Sequence, residues 1–230
     1  MIRKTRTPVM AFITTVTTTI LLAGCVVHIE AKDGNRDIQQ DYTSLNKRVS
    51  VPPGAHVNEI SSFNGRVDVA DDITADNIST VNGKIEVSDN VTARAISTVN
   101  GKITIGSNAK VKDSVETVNG KIEIGHGSSV GRNVSTVNGK IDLTQVTVGR
   151  DVETVNGNIE LRAATVVKGD IIMGSSDNNH NHGYYQKRPL VLRIDSSSTV
   201  EGNIIIYRDI EFDFKDESLR SKIINRAQEH

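Results

Sequence analysis

The 230-residue chain has one cysteine, four prolines, no tryptophan and only 3% aromatic residues. A lone cysteine excludes an internal disulfide framework and any multi-thiolate metal centre. So few rings exclude a core in which Phe, Tyr and Trp bury most of the area, and the interior must be aliphatic. Neither sign of charge dominates, since 27 Lys+Arg stand against 28 Asp+Glu. Without a basic excess the chain is no candidate for reading nucleic-acid phosphates. The longest apolar run, Pro8 to Leu22, is rich in threonine and too short to span a bilayer comfortably.

That run follows Arg3, Lys4 and Arg6, which gives residues 1–24 the basic start and apolar middle of a secretory signal. It ends Leu22-Ala23-Gly24-Cys25, which resembles the lipobox of bacterial lipoproteins: an aliphatic residue, two small ones that suit a peptidase cleft, then a cysteine whose thiol takes the lipid. The resemblance implies that Cys25 becomes the lipidated mature N-terminus, with palmitate-type chains as its only covalent group and no other cofactor. Several acyl chains on one residue anchor stably, unlike a single myristoyl group. Loss of residues 1–24 removes three bases and no acid, leaving a net charge of about −4, which gives no polybasic support at anionic lipid. By the same resemblance, Val26 after the cysteine implies the outer membrane. Residues 25–45 are polar and without period, and read as the lipidated N-terminus and a tether.

Beyond the tether, self-similarity dominates. Asn-Gly recurs at Asn64, Asn82, Asn100, Asn119, Asn138 and Asn156, every 18 or 19 residues, in words such as Thr80-Val81-Asn82-Gly83-Lys84-Ile85-Glu86-Val87. A degenerate copy starts at Asn46. Asn-Gly between β-branched runs is a hairpin signal, but a two-residue hairpin would put Val81 opposite Lys84 and away from Ile85. One extended run instead places Val81, Gly83, Ile85 and Val87 on one face and Thr80, Asn82, Lys84 and Glu86 on the other. Each unit adds two shorter apolar beats, such as Val91 with Ala93 and then Ile96. Three short strands per 18–19 residues describe a coil of an all-β, single-stranded β-helix. The expected solenoid covers residues 46–206 with about seven to eight coils, right-handed by the general crossover preference. At about 4.8 Å per coil it is a rod roughly 35 Å long.

Stacking turns each repeat position into a column. Arg66, Lys84, Lys102, Lys121 and Lys140 form a basic stripe beside Asp68, Glu86, Glu123, Asp142 and Glu160. The Asn column suggests a structural amide ladder. The extended reading puts the Thr column on the charged face, where lysines and glutamates spoil any flat hydroxyl array. Polysaccharide-active β-helix enzymes need convergent carboxylates in an aromatic-lined groove; here the carboxylates form a ladder, and no metal site is expected.

The pattern breaks at an inserted loop, residues 174–189, and resumes at Leu190. The loop holds His180, His182, Tyr184, Tyr185, Lys187 and Arg188, and loops on rigid scaffolds concentrate binding residues. Residues 207–230 read as a strand followed by a capping helix, opened by Asp216-Glu217-Ser218 with Leu219, Ile223, Ile224 and Ala227 on one side. A covered end favours a monomer over end-to-end filaments.

The Thr-Val-Asn-Gly-Lys-Ile words and the Lys168-Gly169-Asp170-Ile171 run resemble bacterial adhesin-type β-strand repeat proteins, and are similar to bactofilins, polymer-forming proteins with a β-helical core. The resemblance covers residues 46–206 and implies a solenoid without catalytic residues. The expected protein is a lipid-anchored cell-envelope module, structural or adhesion-type, meeting a polysaccharide, peptidoglycan or protein partner. A self-assembling bactofilin-like scaffold is the alternative, and a polysaccharide-active enzyme the third reading.

Overall fold

Each repeat offers three short β-branched runs, and none can satisfy its backbone within its own coil. In the computed structural model, which describes residues 40–175 and 189–227, those runs pair in parallel with the equivalent runs one coil before and after. One sheet takes a single strand from each coil, in chain order from Val49–Val51 through Ile85–Val87, Ile122–Ile124 and Ile159–Arg162 to Ile210–Phe214, nine strands in all. The chain is therefore an all-β parallel solenoid of about nine turns. This is one or two turns more than the seven to eight expected, and the stack runs past 46–206 at both ends: Gln40–Ser44, expected in the tether, pairs with His56–Ser62, and Ile210–Phe214 pairs with Leu190–Ile194.

The second sheet serves two faces. Thr74–Asn82 and Thr92–Asn100 run through a bend as continuous strands, and later coils split the same path, for example into Lys110–Val111 and Val115–Asn119. The rod thus has three sides: an ion-pair face on the nine-stranded sheet, an asparagine face, and a third face through Lys110–Val111 and its equivalents. The interior is a stack of aliphatic layers, with Ile85, Ile103, Ile122 and Ile141 one above another and buried. Fully burying each such side chain stabilises by roughly 1.5–3 kcal/mol. A layer only about 4.8 Å thick has no room for rings. The described aromatics, Tyr42, Phe63, Tyr207, Phe212 and Phe214, accordingly sit in the first and last coils.

The extended reading of the repeat word needs correction. The chain turns at Asn82–Gly83, between strands ending at Asn82 and starting at Ile85, and the turn shifts the phase of the alternation. Thr80, Thr98, Thr117, Thr136 and Thr154 are buried, whereas Val81, Val99, Val118, Val137 and Val155 lie half-exposed on the outside. The buried hydroxyls are satisfied by donating to a glycine carbonyl of the preceding coil, Thr117 Oγ1 to Gly101 O and Thr136 Oγ1 to Gly120 O at 3.2 Å each. The Thr column is an internal brace and not a surface array.

A second corner was hidden in the sequence. Asp72, Asn90, Asn108 and Gln145 have φ of 55–59°, and Gly54 and Gly127 stand at equivalent corners with φ of 76° and 71°. Asn and Asp tolerate this left-handed conformation better than other side-chain-bearing residues, and here they also link coils, Asn90 Nδ2 donating to Asp72 Oδ1 at 3.1 Å.

The expected C-terminal helix is also corrected. Asp216 caps a six-residue 3-10 helix, Glu217–Lys222, by accepting from Ser218 N, and the chain then becomes the strand Ile223–Asn225, paired with Ile204–Ile206. A helix this short has little cooperative stability, and β-branched Ile223 and Ile224 have an open sheet edge to join. Leu219 is buried at the end of the core, and Lys222 Nζ donates to the carbonyls of Val200 and Glu201. The helix so covers the last strand of the third face. Phe212 and Phe214 pack edge to face at 5.5 Å, and Arg220 lies over Phe214.

Candidate functional site

On the ion-pair face Arg66, Lys121 and Lys140 each lie between an acid of their own coil and one of the next, whereas Lys84 meets only its own and Arg48 and Lys102 only the next. Arg48 and Arg66 meet Asp68, Arg66 and Lys84 meet Glu86, Lys102 and Lys121 meet Glu123, and Lys121 and Lys140 meet Asp142. Glu160 then collects Lys140, Arg162 and Arg193, and Arg193 passes on to Asp213. Burial alone would raise the Asp142 carboxyl, but the ammonium groups of Lys121 and Lys140 outweigh it and hold the group below the usual carboxylate range. The zigzag breaks once, at Thr104, whose buried hydroxyl has no hydrogen-bond partner. This face spends its charge on itself.

The asparagine face is likewise saturated along its edge. Each amide donates Nδ2–H to Oδ1 of the preceding coil, from Asn64 to Asn46 at 2.9 Å through Asn82, Asn100, Asn119 and Asn138 to Asn156. The coil after Asn156 carries the insertion where the others carry Asn-Gly, and Arg208 Nη1, one coil further on, reaches back to Asn156 Oδ1 at 3.1 Å. Beside this ladder run the half-exposed valines and a column of Ser61, Ser79, Ser97, Glu116, Ser135 and Glu153.

Glu116 is the anomaly in that column. Burial pushes its carboxyl up to about 7, with Asp113 and Glu153 adding like charge against the opposing effects of Ser114 and Arg132. A carboxyl whose folded value lies above its ordinary 4.5 stabilises the fold fully at low pH, and that contribution is lost as pH rises through about 7. Allowing for solvent screening, the loss between pH 5 and 8 is on the order of 1–2 kcal/mol. Glu116→Gln is expected to melt above the wild type at pH 8 and to lose this part of the pH dependence; parallel profiles for the two proteins would remove the assignment.

The third face differs. Its outward positions include Lys110 and Lys112 on either side of buried Val111, and the registers Val111↔Val130↔Val148↔Val167 bring Gly131, Gly149 and Lys168 into line with Lys112. With no side chains at Gly131 and Gly149, the surface sinks into a shallow trough of about 380 Å³ between Lys112 and Lys168. Ser129 and Thr147 place a hydroxyl column alongside, next in line to Lys110. Lys110, Lys112 and Lys168 are exposed, and among the described residues none of them, nor Arg150, makes an ion pair. Arg94 and Arg132, by contrast, are taken up by Asp113.

Sequence reasoning passed over these lysines because they do not recur with the repeat. No local signal marked them: Lys121 and Lys140 each have an acid two residues on, but so does Lys168, at Asp170, and Lys112 is followed directly by Asp113. Of the residues singled out from sequence, Leu22, Ala23, Gly24 and Cys25, and His180, His182, Tyr184, Tyr185, Lys187 and Arg188 of the insertion, lie outside the described residues. His126 is an exposed corner residue whose Nδ1 is 3.1 Å from Gln145 Oε1. No group of three His, Cys, Asp or Glu among the described residues is placed to hold a metal.

Fold and side-chain columns together define a single-chain parallel β-solenoid whose C-terminal end is covered on its third face, with lysines outside any ion pair around a trough on that face. No family model, curated protein or solved structure matches the chain.

Proposed function

We propose that this protein is a non-catalytic, monomeric binding module of the bacterial cell envelope, a rigid rod held at the outer membrane by lipid on Cys25 and meeting its partner through a lateral face. The observation that carries the binding role is the contrast between faces: charge is neutralised pair by pair on one side and left open around the trough of the third. Parallel ladders running the length of the rod favour a stiff platform over a moving one. Anchoring rests on the Leu22-Ala23-Gly24-Cys25 sequence, which resembles a lipobox. Leu219 and Lys222 cover the last strand of the third face, and this partial cover favours a solitary rod over a bactofilin-like filament.

Labelled palmitate fed to cells producing the full chain is expected to enter the wild type and not Cys25→Ser, and the wild type is expected to fractionate with outer membrane. Equal labelling of both proteins would end the anchoring proposal. Electron microscopy of the purified chain is expected to show single particles, and ordered filaments would replace the monomeric reading by the self-assembling one.

A further inference from the structure

We infer that the trough of the third face binds a strand of an anionic glycan, sugars carrying carboxylate or phosphate groups, laid along the rod axis. The inference rests on the proposed lateral binding role and adds to it the site and the ligand chemistry. Lys112 and Lys168 mark the two ends of the trough, three coils apart and therefore about 14 Å along the axis. A single small anion cannot lie at both levels, whereas a chain with charge on successive units can.

The floor and the flank suit such a chain. Gly131 and Gly149 leave the backbone open to close approach, and both are fixed as glycine, because a Cβ at either would collide with the carbonyl oxygen of Lys112 or Gly131 in the preceding coil. Ser129 and Thr147 offer hydroxyls on the Lys110 side, the partners that sugar hydroxyls take. No aromatic side chain lines the trough, so neither stacked neutral sugars nor stacked bases find their usual platform. Recognition then depends on charge. The basic stretch is also bounded: the same outward column carries Asp76 two coils before Lys112 and Glu201 one coil after Lys168. These acids would repel a broad anionic surface, and a flat bilayer cannot follow the concavity between the lysines. A narrow strand fits where a membrane does not.

The test uses the full chain purified in detergent micelles, with polygalacturonate oligomers as the probe and calorimetry as the readout. Wild type is expected to bind and to weaken steeply as salt rises. The double variant Lys112→Glu/Lys168→Glu is expected to lose at least tenfold in affinity, roughly fivefold belonging to each site alone, and Lys102→Ala on the ion-pair face is expected to leave binding unchanged. Lys112 and Lys168 are exposed and Lys102 is half-exposed, and equal melting temperatures will show that the fold is retained. Equal binding by wild type and the double variant overturns the inference, as does preference for neutral dextran, for phosphatidylglycerol vesicles or for a single-stranded oligonucleotide over polygalacturonate. Isolated envelope material, tested in parallel, separates the two levels of the argument. If wild type binds it and the double variant binds it equally, the lateral module stands and the trough falls; if wild type binds neither envelope material nor polygalacturonate, both fall.

Discussion

Gly120→Ala is expected to destabilise the solenoid by at least about 3 kcal/mol, a drop in melting temperature of roughly 6–12 °C. The Gly column of the repeat word packs backbone on backbone: a Cβ on Gly120 would overlap the carbonyl oxygen of Gly101, and Gly101, Gly139 and Gly157 meet the same obstacle one coil down. That oxygen is not free to move aside, because it accepts from Thr117 Oγ1 and Gly101 is tied to the next coil by its N–H, which donates to Asn119 O at 3.1 Å. Relief therefore requires two coils to separate. Gly54→Ala is the control, since a Cβ there meets nothing within 4 Å and the cost is that of its positive φ alone, about 1 kcal/mol. Thermal unfolding of both variants checks the argument, and a Gly120→Ala protein that melts no more than about 2 °C below the wild type would refute it.

Ile122→Ala carries the second large expectation. Ile122 is fully buried between Ile103 and Ile141 in the middle of the rod, so truncation opens a void against two layers, with an expected loss of about 3–5 kcal/mol. Val49 occupies the same column in the first described coil of this face and has a layer only on one side, at Val67. Val49→Ala should cost about 1–2 kcal/mol. In a stack whose contacts are all between neighbours, weakening the middle also uncouples the halves. Denaturant unfolding of Ile122→Ala is expected to broaden or split, and that of Val49→Ala to stay a single transition. Equal losses at the two positions would mean that the rod does not behave as a sum of coil-to-coil interfaces.

Much of this architecture was legible in the sequence, because the solenoid converts period directly into register. Asn82, Asn100 and Asn119 stand above one another in space because they stand 18 or 19 residues apart in the chain. The exchange of inside and outside at Thr80 and Val81 was not legible. Both side chains are β-branched, and alternation counts residues correctly only while the strand stays straight, whereas the turn at Asn82–Gly83 resets the count. Nor did the repeat reveal how the C-terminus ends. Ser218 to Lys222 suits a helical turn in isolation, but Ile223 and Ile224 answer to a sheet edge that exists only once the preceding coils have stacked. The trough is the hardest case. Lys110, Lys112 and Lys168 are ordinary surface residues in the sequence, and they become distinctive only when every comparable base on the neighbouring face is found to have a partner.

The asparagine ladder has an electrical direction. All six amide bonds run the same way, hydrogen toward the first coils and oxygen toward the last, whereas the backbone dipoles of a sheet largely cancel. Aligned amides polarise one another along the row, so this edge of the rod behaves as a single long dipole with its negative pole at Asn156. The guanidinium of Arg208 sits at that pole, as a base sits at the C-terminal end of a helix. The rod is therefore distinguishable end from end by field as well as by shape.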